Sequence, residues 1–220
     1  MVKDESGGNL AGVRVQGCTK TVCLTAATEP SGRFYISGFD VPVDVAVKIP
    51  EDETATPPRL EAVTPVRLVD DSVADAGTLY VPAMPAPVRL GVKSAQAVEL
   101  SQDVALKLNS NDFVWPPTAR RTDQLAARLL PSMHVPRFPE LRGEEVVAVY
   151  AFFPFGTRSK SKIAVRLATT LPAGTSVRLR TVGELDGRLS SPEGATSNGR
   201  YIVSDPGTGI TDLTWLVVSR

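Results

Sequence analysis

The sequence carries no net charge: lysine plus arginine and aspartate plus glutamate stand at 24 each. That balance argues against an electrostatic nucleic-acid binder, which needs a basic excess or a basic stripe. No apolar run approaches the ~20 residues that span a bilayer. The opening MVKDESGGNL lacks the hydrophobic stretch of a signal peptide. No G-x-S-x-G, H-E-x-x-H, P-loop or C-x-x-C motif occurs. A single histidine, His134, and two cysteines, Cys18 and Cys23, do not make a tetrahedral metal set. The residues therefore point to no cofactor, no metal and no local catalytic signature. A hydrolase built on scattered carboxylates leaves no such signature and is the residual enzymatic reading.

What is present is β-sheet sequence. Hydrophobic residues make up 42% of the chain, enough for real cores, and 18 prolines with 17 glycines favour many short segments joined by turns. At 220 residues the chain can form one large β domain or two small ones. The clearest stretch is Gly7 to Gly38. After a turn at Gly7-Gly8-Asn9, Val13 and Val15 alternate with Arg14 and Gln16, the period of a half-buried strand. Cys18 and Cys23 enclose Thr19-Lys20-Thr21-Val22, a common hairpin loop length that sets the cysteines opposite each other. A bridge there is sterically accessible and worth about 2 kcal/mol on the chain-entropy model, because the loop is short. Two free, buried cysteines are the alternative. A bridge implies an oxidising compartment.

Two readings of the chain start follow. The protein is cytosolic, or it is the mature fragment of a longer exported parent with an added Met1. We favour the second, because Val2-Lys3-Asp4 looks like the tail of a strand whose first half is missing. Further on, Glu29-Pro30-Ser31-Gly32 reads as a turn, Phe34 and Ile36 alternate with Arg33 and Tyr35, and Val43, Val45, Val47 and Ile49 alternate with Asp44, Ala46 and Lys48. Arg59–Val69 and Gly77–Val81 read as closing strands. Asp70, Asp71 and Asp75 between them could ligate calcium, but their spacing fits no EF-hand loop, and a solvated loop is the better reading.

The order of these features resembles a known family. A glycine turn leads into L-A-G-V-x-V at Leu10–Val15, a hairpin follows, then S-G-R-F-x-I at Ser31–Ile36 and an alternating strand at Val43–Ile49. This is similar to the carboxypeptidase regulatory-like domain, a transthyretin-like β-sandwich, over roughly residues 2–82. In that family the domain is an accessory module, so the resemblance implies no catalytic residue.

Pro82 to Pro87 (PAMPAP) holds three prolines in six residues and reads as a semi-rigid boundary, with the linker at 83–87. Beyond it, Val88–Val92 starts a strand and Val98–Leu108 supplies one or two more. Near 122–130 lies the one short helix candidate, with Thr122 or Asp123 as cap, Leu125, Leu129 and Leu130 as its apolar face and Pro131 as its stop. Glu145–Phe153 is apolar on both faces and reads as a central strand. Arg158, Lys160 and Lys162 form a basic cluster able to meet phosphate or an acidic glycan, or simply to protect a sheet edge. The run Phe152, Phe153 and Phe155, and Trp115 before its proline pair, are candidate contact residues, with burial as the competing reading. His134 lies in a proline-rich loop with no sequence-adjacent nucleophile.

The second half carries P-F-G-T at Pro154–Thr157, L-P-A-G-T-x-V at Leu171–Val177, N-G-R-Y-I-V-S-D-P-G-T-G-I at Asn198–Ile210 and L-T-W at Leu213–Trp215. Over about 86–220 this order resembles a ZU5-like β-sandwich of bacterial cell-surface and secreted proteins. Some relatives self-cleave at a His-Phe-Ser step. Here His134 precedes Val135-Pro136, so that activity does not carry over.

The expected fold is all-β: two consecutive β-sandwich domains, residues 1–82 and 88–220, with at most one short helix near 122–130. The expected role is a non-catalytic structural or binding module of a bacterial secreted or cell-surface protein, with a protein or surface glycan as partner. One alternative is a subunit of an extracellular filament or matrix, joined by strand addition at an open edge beside Val2. A glycan-binding or glycan-hydrolysing protein is the other.

Overall fold

A computed structural model describes residues 1–70, 72–91 and 95–220. Asp71 of the acidic loop and Val92, the last residue of an expected strand, lie outside the described residues. The chain is all-β, and among the described residues there is no α-helix. It divides into two compact units that are not contiguous in sequence. The first comprises Met1–Ala83 with Pro131–Arg142 and Val182–Leu189. The second comprises Met84–Leu130, Gly143–Thr181 and Ser190–Arg220.

In the first unit, β1 (Val2–Asp4) pairs in parallel with β6 (Leu79–Val81). Strands β2 (Arg14–Cys18), β3 (Cys23–Ala27), β4 (Val43–Ile49) and β5 (Ala62–Leu68) form an antiparallel sheet in the order β3-β2-β4-β5. Opposed residues of an antiparallel ladder share a face. Val45 and Val47 lie opposite Val66 and Thr64 on one face; Asp44, Ala46 and Lys48 lie opposite Arg67, Pro65 and Val63 on the other. The alternation of β4 suggests a solvated face, yet Ala46 and Lys48 are as buried as Val45 and Val47. The reason is segment 182–189. Its Gly187 approaches so closely that a Cβ there would sit 3.0 Å from the Pro65 Cα and 3.5 Å from the Ala46 Cα.

Two expectations for this unit are corrected. Arg33–Ile36 forms no strand. Phe34 and Ile36 are half-buried and Tyr35 is exposed, as alternation requires, but among the described residues the segment pairs with no strand. It crosses the sheet face instead of extending its edge, and the Phe39 ring covers Gly17, where a Cβ would stand 2.7 Å from the ring tip. The edge beside Val2 is also occupied. Val2 donates to the Gly32 carbonyl at 2.7 Å, and Leu10 donates to the Val2 carbonyl at 3.1 Å. A strand added at residues 2–4 would have to displace these bonds.

The second unit is one large sheet. Its strands are β7 (Val88–Arg89), β8 (Ala95–Glu99), β9 (Val104–Asn109), β10 (Phe113–Val114), β11 (Gln124–Leu129), β12 (Val146–Phe153), β13 (Thr157–Ala168), β14 (Ser176–Thr181), β15 (Glu193–Ser197), β16 (Tyr201–Ser204), β17 (Ile210–Leu213) and β18 (Trp215–Ser219). The hydrogen-bonded path runs β7-β11-β12-β18-β14-β15-β16-β13-β9-β8, with β10 and β17 both on β13. The 12-residue β13 pairs with β10 and β17 at its start and with β9 and β16 at its end. A register shift between Arg158 and Ile163 separates the two halves. Through this strand the sheet turns back over one core, in which Tyr150, Phe152, Leu125, Leu167 and Leu216 meet.

The helix expected near 122–130 is a strand. β11 is bonded on one edge to β12 and on the other to β7. Three leucines in so short a run would nucleate only a marginal helix. Two ladders satisfy its main chain instead, and the small Ala126 and Ala127 let it sit buried on both faces. Pro131 follows it as expected.

The S-D-P-G-T-G-I motif has a structural explanation. Thr208 donates its main-chain N–H to the Asp205 carbonyl at 3.0 Å, closing a turn with Pro206 and Gly207 at its centre. The Thr208 hydroxyl donates to the Gly194 carbonyl at 2.7 Å, and the Thr196 hydroxyl donates to the Asp205 carboxylate at 2.8 Å. Gly209 then has φ +148°, and a Cβ there would collide with the Ile163 carbonyl. Gly209→Ala is expected to lower unfolding stability by about 2 kcal/mol or more, read as a shifted denaturant midpoint with unchanged slope. A midpoint equal to wild type would show that the turn tolerates the side chain.

Candidate binding groove of the first unit

A groove on the first unit follows from the unpaired course of 33–39. With this segment on one side and residues 72–78 on the other, Val45, Val47, Val66 and Leu68 form the floor of a groove of about 690 Å³. That volume falls in the range of ordinary ligand sites, about 300–1,000 Å³. β4 and β5 place the floor residues because register puts them on one face. Tyr35 and Val73, 68% and 80% exposed, stand at the rim. Arg33 and the Met1 ammonium set two positive charges against those of Asp70 and Asp75. The surface is thus apolar below, aromatic and aliphatic above, and nearly neutral.

The opposite face of the same sheet holds a buried charged cluster. The Lys48 ammonium nitrogen lies 3.3 Å from Glu61 Oε1, and both side chains are under a tenth exposed. Burial pushes the Glu61 carboxyl up to about 8, against the pull of the Lys48 ammonium; Glu51 and Glu184 add to the upward push. Nearby, Asp44 accepts from Arg67 at 2.7 Å and also pairs with Arg188. Removing one partner of a buried pair costs about 3–5 kcal/mol. The geometry is that of a structural pair in the sheet interior.

The residues singled out from sequence are scattered. Cys18 and Cys23 are bonded, directly opposed across the β2–β3 hairpin with Cα atoms 4.0 Å apart. Phe152, Phe153 and Phe155 are buried. Trp115 is half-buried against the large core, edge-on to Phe113 at 5.3 Å. Arg158 pairs with Asp212 at 3.7 Å, Lys162 pairs with Glu193, and exposed Lys160 lies between them on β13. His134 stacks on Tyr80, ring centroids 4.0 Å apart and 14° from parallel. Asp70 accepts from the Ser72 N–H and Asp75 from the Gly77 N–H, so each carboxylate closes its own loop. Among the described residues no group of three or more His, Cys, Asp or Glu is arranged to hold a metal ion. No described helix is long and apolar enough to cross a membrane.

The groove was not legible as a site. Its rim residue Tyr35 carries the alternation of a strand, and nothing in the local pattern tells a paired strand from an unpaired one. The Lys48–Glu61 contact was hidden for a related reason: Lys48 sits where alternation places a solvated residue.

The chain matches no family model, no curated protein and no solved structure. The class that the fold itself defines is an all-β protein with a hairpin disulfide.

Two carboxylates give stability opposite pH slopes. Glu61 is protonated in folded and unfolded chains below its ordinary value of 4.5; from there to about 8 only the unfolded chain ionises. Stability is therefore expected to fall as pH rises through that window and to level off above it. Glu144 behaves oppositely. Hydrogen bonds from Arg180 and Ser219 hold it at about 2. Its contribution is complete above 4.5 and is lost as pH falls toward 2. In denaturant midpoints measured across pH, Glu61→Gln should flatten the upper limb and Glu144→Gln should reduce the slope of the lower one. Asp4, Asp44 and Asp52, also held below their ordinary values by hydrogen bonds, contribute to that lower limb as well. An upper limb that persists in Glu61→Gln would contradict this assignment.

Proposed function

We propose that this chain is a non-catalytic binding module of a bacterial secreted or cell-surface protein, acting in adhesion or surface assembly on a protein partner. The observation that carries the reading is the groove of the first unit. It is of ligand-site size, apolar at its floor, and rimmed by exposed Tyr35 and Val73. Exposed aromatic and aliphatic side chains around an apolar depression are what protein–protein contacts use. The nearly neutral rim offers little to an anionic glycan or to nucleic acid. The Cys18–Cys23 bridge supports an oxidising compartment, extracellular or periplasmic, because such bonds persist there. The resemblances to carboxypeptidase regulatory-like and ZU5-like domains belong to the same reading, and both imply accessory β modules.

The chain, labelled and applied to an array of extracellular proteins and glycans, is expected to bind protein positions saturably. Tyr35→Asp combined with Val73→Asp should weaken that binding about tenfold or more, with circular dichroism unchanged because both side chains are exposed. Binding that is non-saturable, or equal in the double variant, would overturn the groove as the contact surface.

A further inference from the structure

We infer that the groove, in the binding role just proposed, takes an extended polypeptide segment that adds as a strand to Phe34–Ser37. The argument rests on main-chain groups. Residues 34–40 belong to no strand, and among the described residues no hydrogen bond uses their main chain. Elsewhere in the first unit, neighbouring segments are tied: Glu29 donates to Arg33, Gly12 to Thr28, Leu60 to Pro82 and Leu79 to Met1. A run whose side chains alternate in burial and whose N–H and C=O groups are unengaged is the template that strand addition uses.

The side chains of this run already alternate, with Phe34 and Ile36 turned inward and Tyr35 outward. Gly38, at φ +98°, interrupts the extension. The pairing therefore covers Phe34–Ser37, in which alternate residues present about four main-chain hydrogen-bonding groups to a neighbour.

The groove defines the rest of the occupant. Half-buried Val66 and Leu68, over the buried Val45 and Val47, meet every second side chain of an added strand, since strand side chains alternate. Arg33 and the Met1 ammonium balance Asp70 and Asp75 around the groove, so neither a basic nor an acidic segment is selected. The partner segment is thus an uncharged peptide with apolar residues at alternate positions. Strand addition at 34–37 needs no displacement of the bonds that occupy both edges of β1.

A random dodecapeptide library displayed on phage and panned on the full chain supplies the probe. Selected peptides are expected to show apolar residues at every second position. A synthetic peptide should lose about tenfold or more in affinity when alternate main-chain nitrogens are methylated, and much less when the intervening ones are. Amide exchange at Phe34–Ser37 should slow when the peptide binds. Loss that ignores the alternation, or binding that leaves exchange at 34–37 unchanged, would overturn strand addition while leaving a groove-binding protein intact. Recovery of no groove-dependent peptide would overturn this inference too, and the array experiment above reports separately on the broader reading.

Discussion

Main-chain pairing is the constraint from which this structure follows. A buried N–H or C=O without a partner costs about 1–3 kcal/mol, so an all-β chain must give each strand a neighbour. In the second unit the solution is one long path of strands, with β13 shared among β9, β10, β16 and β17 so that the sheet turns over its own core. In the first unit the four-stranded sheet stops at β3 and β5, and the segment that could extend it crosses the face instead. The groove is the consequence of that one segment left without a ladder.

The same constraint decides how much was legible in advance. Strand identity was readable where alternation met a turn residue and the neighbouring segment could pair with it. The β2–β3 hairpin around Cys18 and Cys23, the apolar β12 and the Asn198-Gly199 turn between β15 and β16 all follow from local pattern. Pairing is non-local, and it governed the errors. Leu125, Leu129 and Leu130 have the spacing of a helix face, but two flanking strands offered β11 a better use of its main chain. Tyr35 and its neighbours have the alternation of a strand and no partner. Val2–Asp4 reads as half a strand with an open side, and both sides are bonded.

Burial was misjudged where a distant segment supplies the cover. Asp44, Ala46 and Lys48 look like a solvent-facing row. Segment 182–189 lies more than a hundred residues away in sequence and closes over them, with Gly187 against Pro65. That cover is why Lys48 and Glu61 meet away from water and why the Glu61 carboxyl is pushed to about 8. The aromatic run Phe152, Phe153 and Phe155 went to the interior, as its neighbours on a central strand require. Exposed Tyr35 and Val73 instead lie on irregular segments beside the groove.

The groove has its binding role only if the main chain of 34–37 is unpaired in the free protein. Residue-resolved amide hydrogen exchange of the isolated chain tests this directly. Phe34, Tyr35, Ile36 and Ser37 are expected to exchange near the rate of an unstructured peptide, while Ala46 and Val47 of β4, each in register with both β2 and β5, are protected by orders of magnitude. Protection at 34–37 comparable to that of β4 would mean that the segment already has a partner strand, and the groove would lose its role.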